Sequence, residues 1–155
     1  MSLDRIRLAS LHDKVMSAEQ AATFIQDGMT VGMSGFTRAG EAKAVPLALV
    51  KQAKANPLKI TLITGASLGN DLDKQLTEAG VLARRLPFQV DNTLRKAINK
   101  GEVMFIDQHL SETVEQMRNL QLKKPDIAII EAVAITEDGG IIPTTSVGNS
   151  ASFAI

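Results

Sequence analysis

The sequence contains no cysteine and only two histidines among its 155 residues, and neither charge is in excess. Without cysteine there are no disulfides and no thiolate metal sites, and His12 and His109 lie too far apart in sequence to suggest a metal centre. Seventeen basic residues balance seventeen acidic ones. A neutral chain gives no reason to expect nucleic acid or an anionic membrane surface as a partner.

Long apolar runs are missing as well. The opening stretch, MSLDRIRLASLHDKV, is charged throughout and lacks the apolar core of a signal peptide. No run elsewhere is long enough to span a bilayer, so we expect a cytoplasmic protein. What the chain does contain is ordinary for a globular fold: 45% hydrophobic and 22% charged residues, with enough length for one domain and a sizeable core.

Strand and helix patterns alternate along the chain. Segments rich in β-branched residues are separated by segments with helix signals, and this order is typical of βαβ units. We predict an α/β fold with a mostly parallel sheet and helices on both faces. The predicted strands are Thr30–Met33, Ile60–Thr64, Val103–Ile106 and Ile127–Ala132, with a further short strand in VLARRL.

Two helix starts carry capping signals. The segment SAEQAATFI opens with Ser17 and has Gln20 three residues later, which predicts a capping box. The apolar stripe of this helix is expected to include Phe24 and Ile25. In a later segment, SETVEQMRNLQL, Ser111 is the predicted cap.

The segment TVGMSGFTRAGEAKAVP, residues 30–46, predicts a strand, a glycine-rich loop and a helix start, an arrangement that often binds phosphate. The dinucleotide pattern G-x-G-x-x-G does not occur in it. The spacing of Gly35 and Gly40 matches the start of G-x-x-x-x-G-K-[ST], but Glu41-Ala42 stand where the lysine and the hydroxyl belong. We therefore exclude an ATPase loop, and two interpretations remain, another ligand loop or a tight strand–helix turn.

Several separated segments resemble one family in order and spacing. They are SGFTRAGEAKAVPLAL, ITLITGASLG, LPFQVDNTLRKAINKGEVMFIDQHLS and PDIAIIEAVAITEDGGIIPTTSVGNS. From about Arg5 to the last residue, the chain resembles the N-terminal part of the acetyl-CoA hydrolase/transferase family, the acetate- and succinate-using branch of class I CoA-transferases. The resemblance implies a CoA-transferase-like fold over residues 1–155, of the type also found in sugar-phosphate isomerases. It also implies truncation at the C-terminal end, with a second domain absent.

The resemblance implies transfer of CoA between an acyl-CoA (acetyl-, propionyl- or succinyl-CoA) and a small carboxylate, through an enzyme glutamyl-CoA thioester. The nucleophilic glutamate lies in the second half of the family's longer chain. No catalytic residue is therefore assigned here, and Glu131 is expected to have a structural role at a strand end. CoA is a substrate, and no metal or other cofactor is implied. Two alternatives stay open: an acyl-CoA hydrolase of the same family, and a non-catalytic ligand-sensing domain of the same fold.

The resemblance also implies that acyl-CoA and carboxylate bind at loops that follow predicted strands, where open α/β sheets bind their ligands. The candidate residues are Ser34, Gly35, Phe36, Gly40, Gly65, Ala66, Ser67, Gly148, Asn149 and Ser150. Structural roles remain as alternatives: Phe36 in the core, Ser67 as a helix cap, and Asn149 in stabilising its loop.

Neighbouring side chains receive structural interpretations. Arg84 and Arg85 are expected to be a solvated pair rather than a phosphate clamp, and His109 is expected to form a structural hydrogen bond. Val90 has no hydroxyl with which to bind a second carboxylate.

Two properties are predicted for the chain by itself. It should have no transferase activity, because the resemblance places the nucleophile elsewhere. It should also self-associate, as a homo-oligomer, through an apolar face. The residues of that face are Ile141, Ile142, Val147, Phe153 and Ile155.

Overall fold

A computed structural model describes residues 3–69, 71–145 and 148–154. Five strands form one parallel sheet with the spatial order β4-β3-β2-β1-β5. They are β1 Thr30–Met33, β2 Ile60–Thr64, β3 Leu82–Leu86, β4 Met104–Phe105 and β5 Ile127–Ile129. The predicted α/β architecture is therefore confirmed.

The helices connect these strands in chain order. They are α1 Ala18–Ala22, α2 Ala44–Ala53, α3 Leu72–Glu78, α4 Asn92–Asn99 and α5 Leu110–Arg118, with 3₁₀ helices at Leu3–Arg5, Ala9–Lys14 and Gly148–Phe153. From β1 to β4 the chain moves across the sheet in one direction, so right-handed crossovers place α2, α3 and α4 on one face. The return from β4 to β5 runs in the opposite direction and places α5 on the other face.

Alternating side chains of the strands pack on these two faces. Ile60 and Leu62 of β2 belong to a large buried cluster with α1 to α4, which we call the four-helix face. Ile63, the next residue of β2, points to the opposite side of the sheet. It packs with Met117 of α5 and with Phe153 of the last 3₁₀ helix, on what we call the α5 face. Helices therefore cover both sides of the sheet, as predicted.

Phe153 is buried in this chain's own core, contrary to the prediction that it belongs to an exposed apolar face. Its side chain is 7% exposed, and its ring lies against Gly32 of β1, where a Cβ would come within 2.9 Å of Cγ. Ile141 and Ile142 are 44% and 38% exposed, as the prediction requires. Val147 and Ile155 lie outside the described residues.

The strand predicted over Ile127–Ala132 is wrong at its end. The backbone N–H of Ser34 still bonds to the carbonyl of Ile129, but the N–H of Glu131 bonds to the Ser34 hydroxyl instead of a strand carbonyl, which ends the ladder. A separate two-stranded antiparallel ribbon follows, formed by β6 Ala132–Ile135 and β7 Ile141–Pro143.

The helix starts agree with the sequence only in part. Ser17 and Gln20 form the predicted capping box of α1. The helix ends at Ala22, however, so Phe24 does not join an apolar stripe and is 59% exposed. The cap of α5 is His109, whose backbone is extended, and Ser111 lies inside the first turn. Across the described residues, no helix is long and apolar enough to cross a membrane.

Candidate active site

An open cleft of about 630 Å³ lies at the carboxyl edge of the parallel sheet. Segments that follow β1, β2, β3 and β4 form its walls. The lining residues are Phe36, Thr37, Ala66, Ser67, Phe88, Asp107, Gln108, His109, Leu110 and Glu112. This is the edge at which open α/β sheets bind ligands, because the loops there are free of the sheet's own hydrogen bonding.

Of the predicted site residues in the loop after β1, some hold the loop in place and one lines the cleft. Ser34 is fully buried; its hydroxyl donates to the carbonyl of Gly40 (2.7 Å) and accepts the N–H of Glu131 (2.9 Å). Gly35 donates its N–H to the Ser150 hydroxyl (3.3 Å). Phe36 is 39% exposed and lines the cleft, so it does not belong to the core.

The loop after β2 supplies the neighbouring part of the wall. Ala66 and Ser67 line the cleft, and the carbonyl of Ser67 accepts the N–H of Thr37 at 2.9 Å, which joins the first two loops. Ser67 does not cap the following helix, because the N-cap of α3 is Asp71. Its side chain therefore lies at the cleft without a capping role.

The start of the 3₁₀ helix Gly148–Phe153, which was predicted as a loop, packs behind this wall. A Cβ on Gly148 would lie 2.2 Å from the carbonyl oxygen of Gly65, so only glycine fits there, and the Asn149 N–H donates to that same carbonyl (3.2 Å). Asn149 is 2% exposed, and its Nδ2 has no hydrogen-bond partner within the described part of the chain. The three predicted loops meet in space, although Gly148, Asn149 and Ser150 do not line the cleft.

Thr37 has an unusual backbone conformation at the cleft. Its φ is 57°, in the left-handed region that β-branched residues rarely adopt. The hydrogen bond to Ser67 and a bridge to Leu68 hold it there. Strain of this kind costs on the order of 1–3 kcal/mol and is concentrated at functional sites.

Several residues of the cleft were not predicted from the sequence. Phe88 follows β3, and Asp107 and Gln108 follow β4, so their positions directly after strands were the available signal. His109 lines the cleft as the exposed N-cap of α5, without a side-chain cap bond. Val90, which has no hydroxyl to offer a carboxylate, is 52% exposed.

The interpretation of Arg85 as solvated is wrong. Its side chain is fully buried and forms an ion pair with Asp73, which is 1% exposed, at 2.8 Å. Arg84, the preceding residue, is half-buried, and its side chain points to the opposite face of the sheet. The alternation of side chains in β3, together with the acidic partner on α3, separates the two arginines.

Glu131 lies two residues after the end of β5 and does not line the cleft. Its carboxylate accepts hydrogen bonds from Lys43 (2.8 Å) and from the Thr144 hydroxyl (2.9 Å). The bond from Lys43 lowers the pKa of the Glu131 carboxyl most, burial opposes this, and the bond from Thr144 lowers the pKa further. The carboxylate thus links the start of α2 to the β6–β7 ribbon, which agrees with a structural role at a strand end.

The charges of the cleft limit what it can bind. Asp107 and Glu112 contribute carboxylates, and no lysine or arginine occurs among the described residues that line it. The described residues also contain no group of three or more metal-ligating side chains. Such a cleft suits an uncharged or apolar group, and a small anion there would need hydroxyl and backbone N–H donors to offset the two carboxylates.

The comparison with family models covers nearly the whole chain. Residues 2–155 match the model described as the acetyl-CoA hydrolase/transferase N-terminal domain. The chain belongs to this family. The resemblance found in the separated sequence segments is thereby confirmed.

Relatives within the acetyl-CoA hydrolase/transferase family carry two kinds of name. The succinyl-CoA:acetate CoA-transferase of Clostridium kluyveri is 47% identical over 151 residues, which are 96% of this chain and 28% of that protein. The acetyl-CoA hydrolase of Kluyveromyces lactis is 40% identical over 161 residues, which are 97% of this chain and 31% of that protein. The chain therefore spans less than a third of the length of these relatives.

Solved structures support the same fold. An acyl-CoA transferase of Escherichia coli O157:H7, determined as a thioester complex with CoA, matches 67% of this chain and 22% of its own with a TM-score of 0.55. The sequence identity is 18%, so this likeness describes the fold alone. The CoA-transferase-like fold predicted for the family is confirmed.

Proposed function

We propose that this chain forms one wall of the active site of an acyl-CoA:carboxylate CoA-transferase. The enzyme would move CoA between an acyl-CoA, such as acetyl-, propionyl- or succinyl-CoA, and a small carboxylate. The single observation that carries the proposal is the cleft at the carboxyl edge of the sheet in a chain whose residues 2–155 match the family. The names of the relatives support an enzyme over a ligand-sensing domain.

The chemistry divides between this domain and the rest of the family's longer chain. A glutamate outside the present sequence would attack the thioester carbonyl and expel the CoA thiolate, which leaves a mixed acyl–glutamyl anhydride. The thiolate would then attack the glutamyl carbonyl, which gives the glutamyl-CoA thioester and releases the acyl group as a free carboxylate. No carboxylate of this chain takes that role in the proposal. Glu131 is already bound by Lys43 and Thr144, which supports its exclusion as the nucleophile.

Within the cleft, the acyl group would lie between Phe36 and Phe88, which are 39% and 45% exposed. The Ser67 hydroxyl is the proposed donor to the carboxylate or thioester oxygen. Because the described lining residues carry acidic groups and no lysine or arginine, the phosphates of CoA would lie outside this cleft. The remaining candidates, including Gly65 and Asn149, would act by holding these walls.

A hydrolase is the second candidate, since the Kluyveromyces lactis relative has that name. It would differ in whether water or a second carboxylate resolves the enzyme-bound thioester. The transferase takes precedence here because the Clostridium kluyveri relative is more similar, at 47% against 40% identity. The use of coenzyme A as a substrate without any other cofactor, a cytoplasmic location and a homo-oligomeric state remain predictions.

Ligand titration followed by NMR tests the cleft directly. Acetate and acetyl-CoA should each shift the amide signals of Ala66, Ser67 and Phe88, even at millimolar affinity. Ser67→Ala should weaken acetate binding by about tenfold, since a hydrogen bond to a charged group is worth roughly 1.5–3 kcal/mol. The matched control is Ser10→Ala in the exposed 3₁₀ helix Ala9–Lys14, which should bind as the wild type does. Shifts confined to other surfaces would contradict the proposal.

A turnover assay tests the division of the chemistry. The 155-residue chain by itself should not exchange CoA between acetyl-CoA and succinate at ordinary enzyme rates, above roughly 1 per second. Turnover at that level would place a nucleophile within this domain and overturn the proposed division.

A further inference from the structure

Arg85 is a charged residue without any exposed surface, and all five of its N–H donors have an acceptor. Nε and Nη2 donate to the two carboxylate oxygens of Asp73, at 2.8 and 3.1 Å. Nη1 donates to the Thr64 hydroxyl (2.8 Å) and to the carbonyl of Leu86 (2.7 Å), and Nη2 also approaches the carbonyl of Ala66 at 3.5 Å. The guanidinium is therefore fully satisfied in one orientation.

Two of these acceptors, the carbonyls of Ala66 and Leu86, belong to segments that lead to residues lining the cleft. Ala66 lines the cleft after β2, and Thr64 strengthens the link because its hydroxyl accepts from Arg85 and donates to the carbonyl of Ala66. Leu86 ends β3, two residues before Phe88, which also lines the cleft. One rigid side chain thus bonds the backbone of both wall segments.

Stability alone gives a weak reason for this arrangement. Burying two charges removes their hydration, and apolar side chains of similar volume often stabilise a core equally well. What apolar side chains cannot do is hold two carbonyl groups at a fixed separation, which the planar guanidinium does.

We propose that Arg85, oriented by Asp73, is a positioning residue. It sets the spacing between two wall segments of the cleft, the one at Ala66 and Ser67 (the Ser67 wall) and the one at Phe88 (the Phe88 wall). It acts through the backbone and does not touch the ligand. The further consequence, that this spacing limits the size of the acyl group or carboxylate, rests on the proposed function.

Amide hydrogen exchange can report separately how readily each wall segment opens. The N–H of Thr37 donates to the carbonyl of Ser67 (2.9 Å), and the N–H of Gln108 donates to the carbonyl of Pro87 (3.2 Å). In the pair replacement Arg85→Met/Asp73→Leu, both amides should exchange at least about tenfold faster, because the walls open locally. Amides in the centre of β2 should keep their wild-type rates. A purely structural role would raise all rates together, and unchanged rates at both reporters would overturn the proposal.

A milder variant keeps the test decisive if the pair replacement does not fold. Thr64→Val removes only the hydroxyl between Arg85 and Ala66, so exchange should rise at Thr37 and stay unchanged at Gln108. The matched control is Arg84→Met, which removes the neighbouring, half-buried arginine and should leave both reporters unchanged. Equal acceleration at both reporters in Thr64→Val, or none, would contradict the proposed geometry.

Acetate and propionate titrations of the same variants separate this inference from the proposed function. If the cleft binds these carboxylates, the pair replacement should change the ratio of the two affinities, whereas Arg84→Met should not. An unchanged ratio would refute the size-limiting role. If the wild-type chain binds neither carboxylate, the proposed function of the cleft fails, while the exchange rates still decide whether Arg85 positions the walls.

Discussion

The two faces of the central sheet are closed by unequal cores. Among the described residues, seventeen buried apolar side chains form the cluster of the four-helix face, and four form that of the α5 face. The larger core draws on α1 to α4, so each residue there has neighbours from several elements. On the α5 face, Ile63 and Leu86 of the sheet depend on Met117 and Phe153 for cover. The smaller core should therefore be more sensitive to a single substitution.

The largest effect is expected at Phe153. Phe153→Ala should lower the free energy of unfolding by about 3–5 kcal/mol, because it removes a buried ring and leaves a cavity above Gly32. Chemical denaturation measures this. Phe24→Ala is the matched control, since Phe24 is 59% exposed and should change stability by less than about 0.5 kcal/mol. Equal, small losses in both variants would show that the α5 face does not depend on its phenylalanine.

A smaller effect is expected at Gly32, which gives Phe153 its space. Gly32→Ala would place a Cβ 2.9 Å from Phe153 Cγ and 3.2 Å from Pro125 Cγ. Overpacking of this kind costs about 1–3 kcal/mol. In the Phe153→Leu background the same substitution should cost less, and a double-mutant cycle measures the coupling. Additive losses would mean that the two residues do not compete for space.

On the four-helix face, loss of the α1 cap should lower the free energy of unfolding by about 1 kcal/mol. Ser17→Ala removes the acceptor for the Gln20 N–H and breaks the capping box of α1. Thermal unfolding of this variant can be compared with Ser10→Ala, which should leave stability unchanged. Because the buried residues that α1 and the segment after it add to the large core are small in number, Ala22 and Ile25 with Ala18 partly buried beside them, the remaining helices should keep that face covered. Loss of the folded state in Ser17→Ala would contradict this robustness.

The smallest effect concerns Glu131, where the start of α2 meets the chain leaving β5. The Lys43 hydrogen bond lowers the folded-state pKa of Glu131 below its ordinary 4.5, so the pair stabilises the folded state above that pH. This contribution is lost as the pH falls through the lowered pKa. At neutral pH it should be about 0.5–1 kcal/mol, since both side chains are partly exposed.

Lys43→Met tests the direction of this pH dependence. The difference in unfolding free energy between wild type and variant should be present at neutral pH and should shrink below about pH 4.5. Lys51→Met, a lysine in the last turn of α2, is the control. A difference that grows on acidification would assign the Lys43 contribution to something other than its pair with Glu131.

The sequence by itself determined the features that depend on neighbouring residues. The bounds of β1 and β2 follow from short apolar runs next to glycine and polar turns, and the capping box follows from Ser17 and Gln20, three residues apart. The alternation of strands and helices determined the parallel sheet, because βαβ units can close in few ways. The family could likewise be predicted, since its segments keep their order along the chain.

Only the tertiary structure decided which polar groups are buried and where the strands end. Arg85 forms an ion pair with Asp73, twelve positions away on another element. Glu131 accepts a hydrogen bond from Lys43, at a separation of 88 residues. The Ser34 hydroxyl, 97 residues from Glu131, ends β5 by taking an N–H that the strand pattern would have given to the ladder. These contacts join segments distant in sequence, and a local pattern carries no information about which of several available partners a side chain reaches in the folded state.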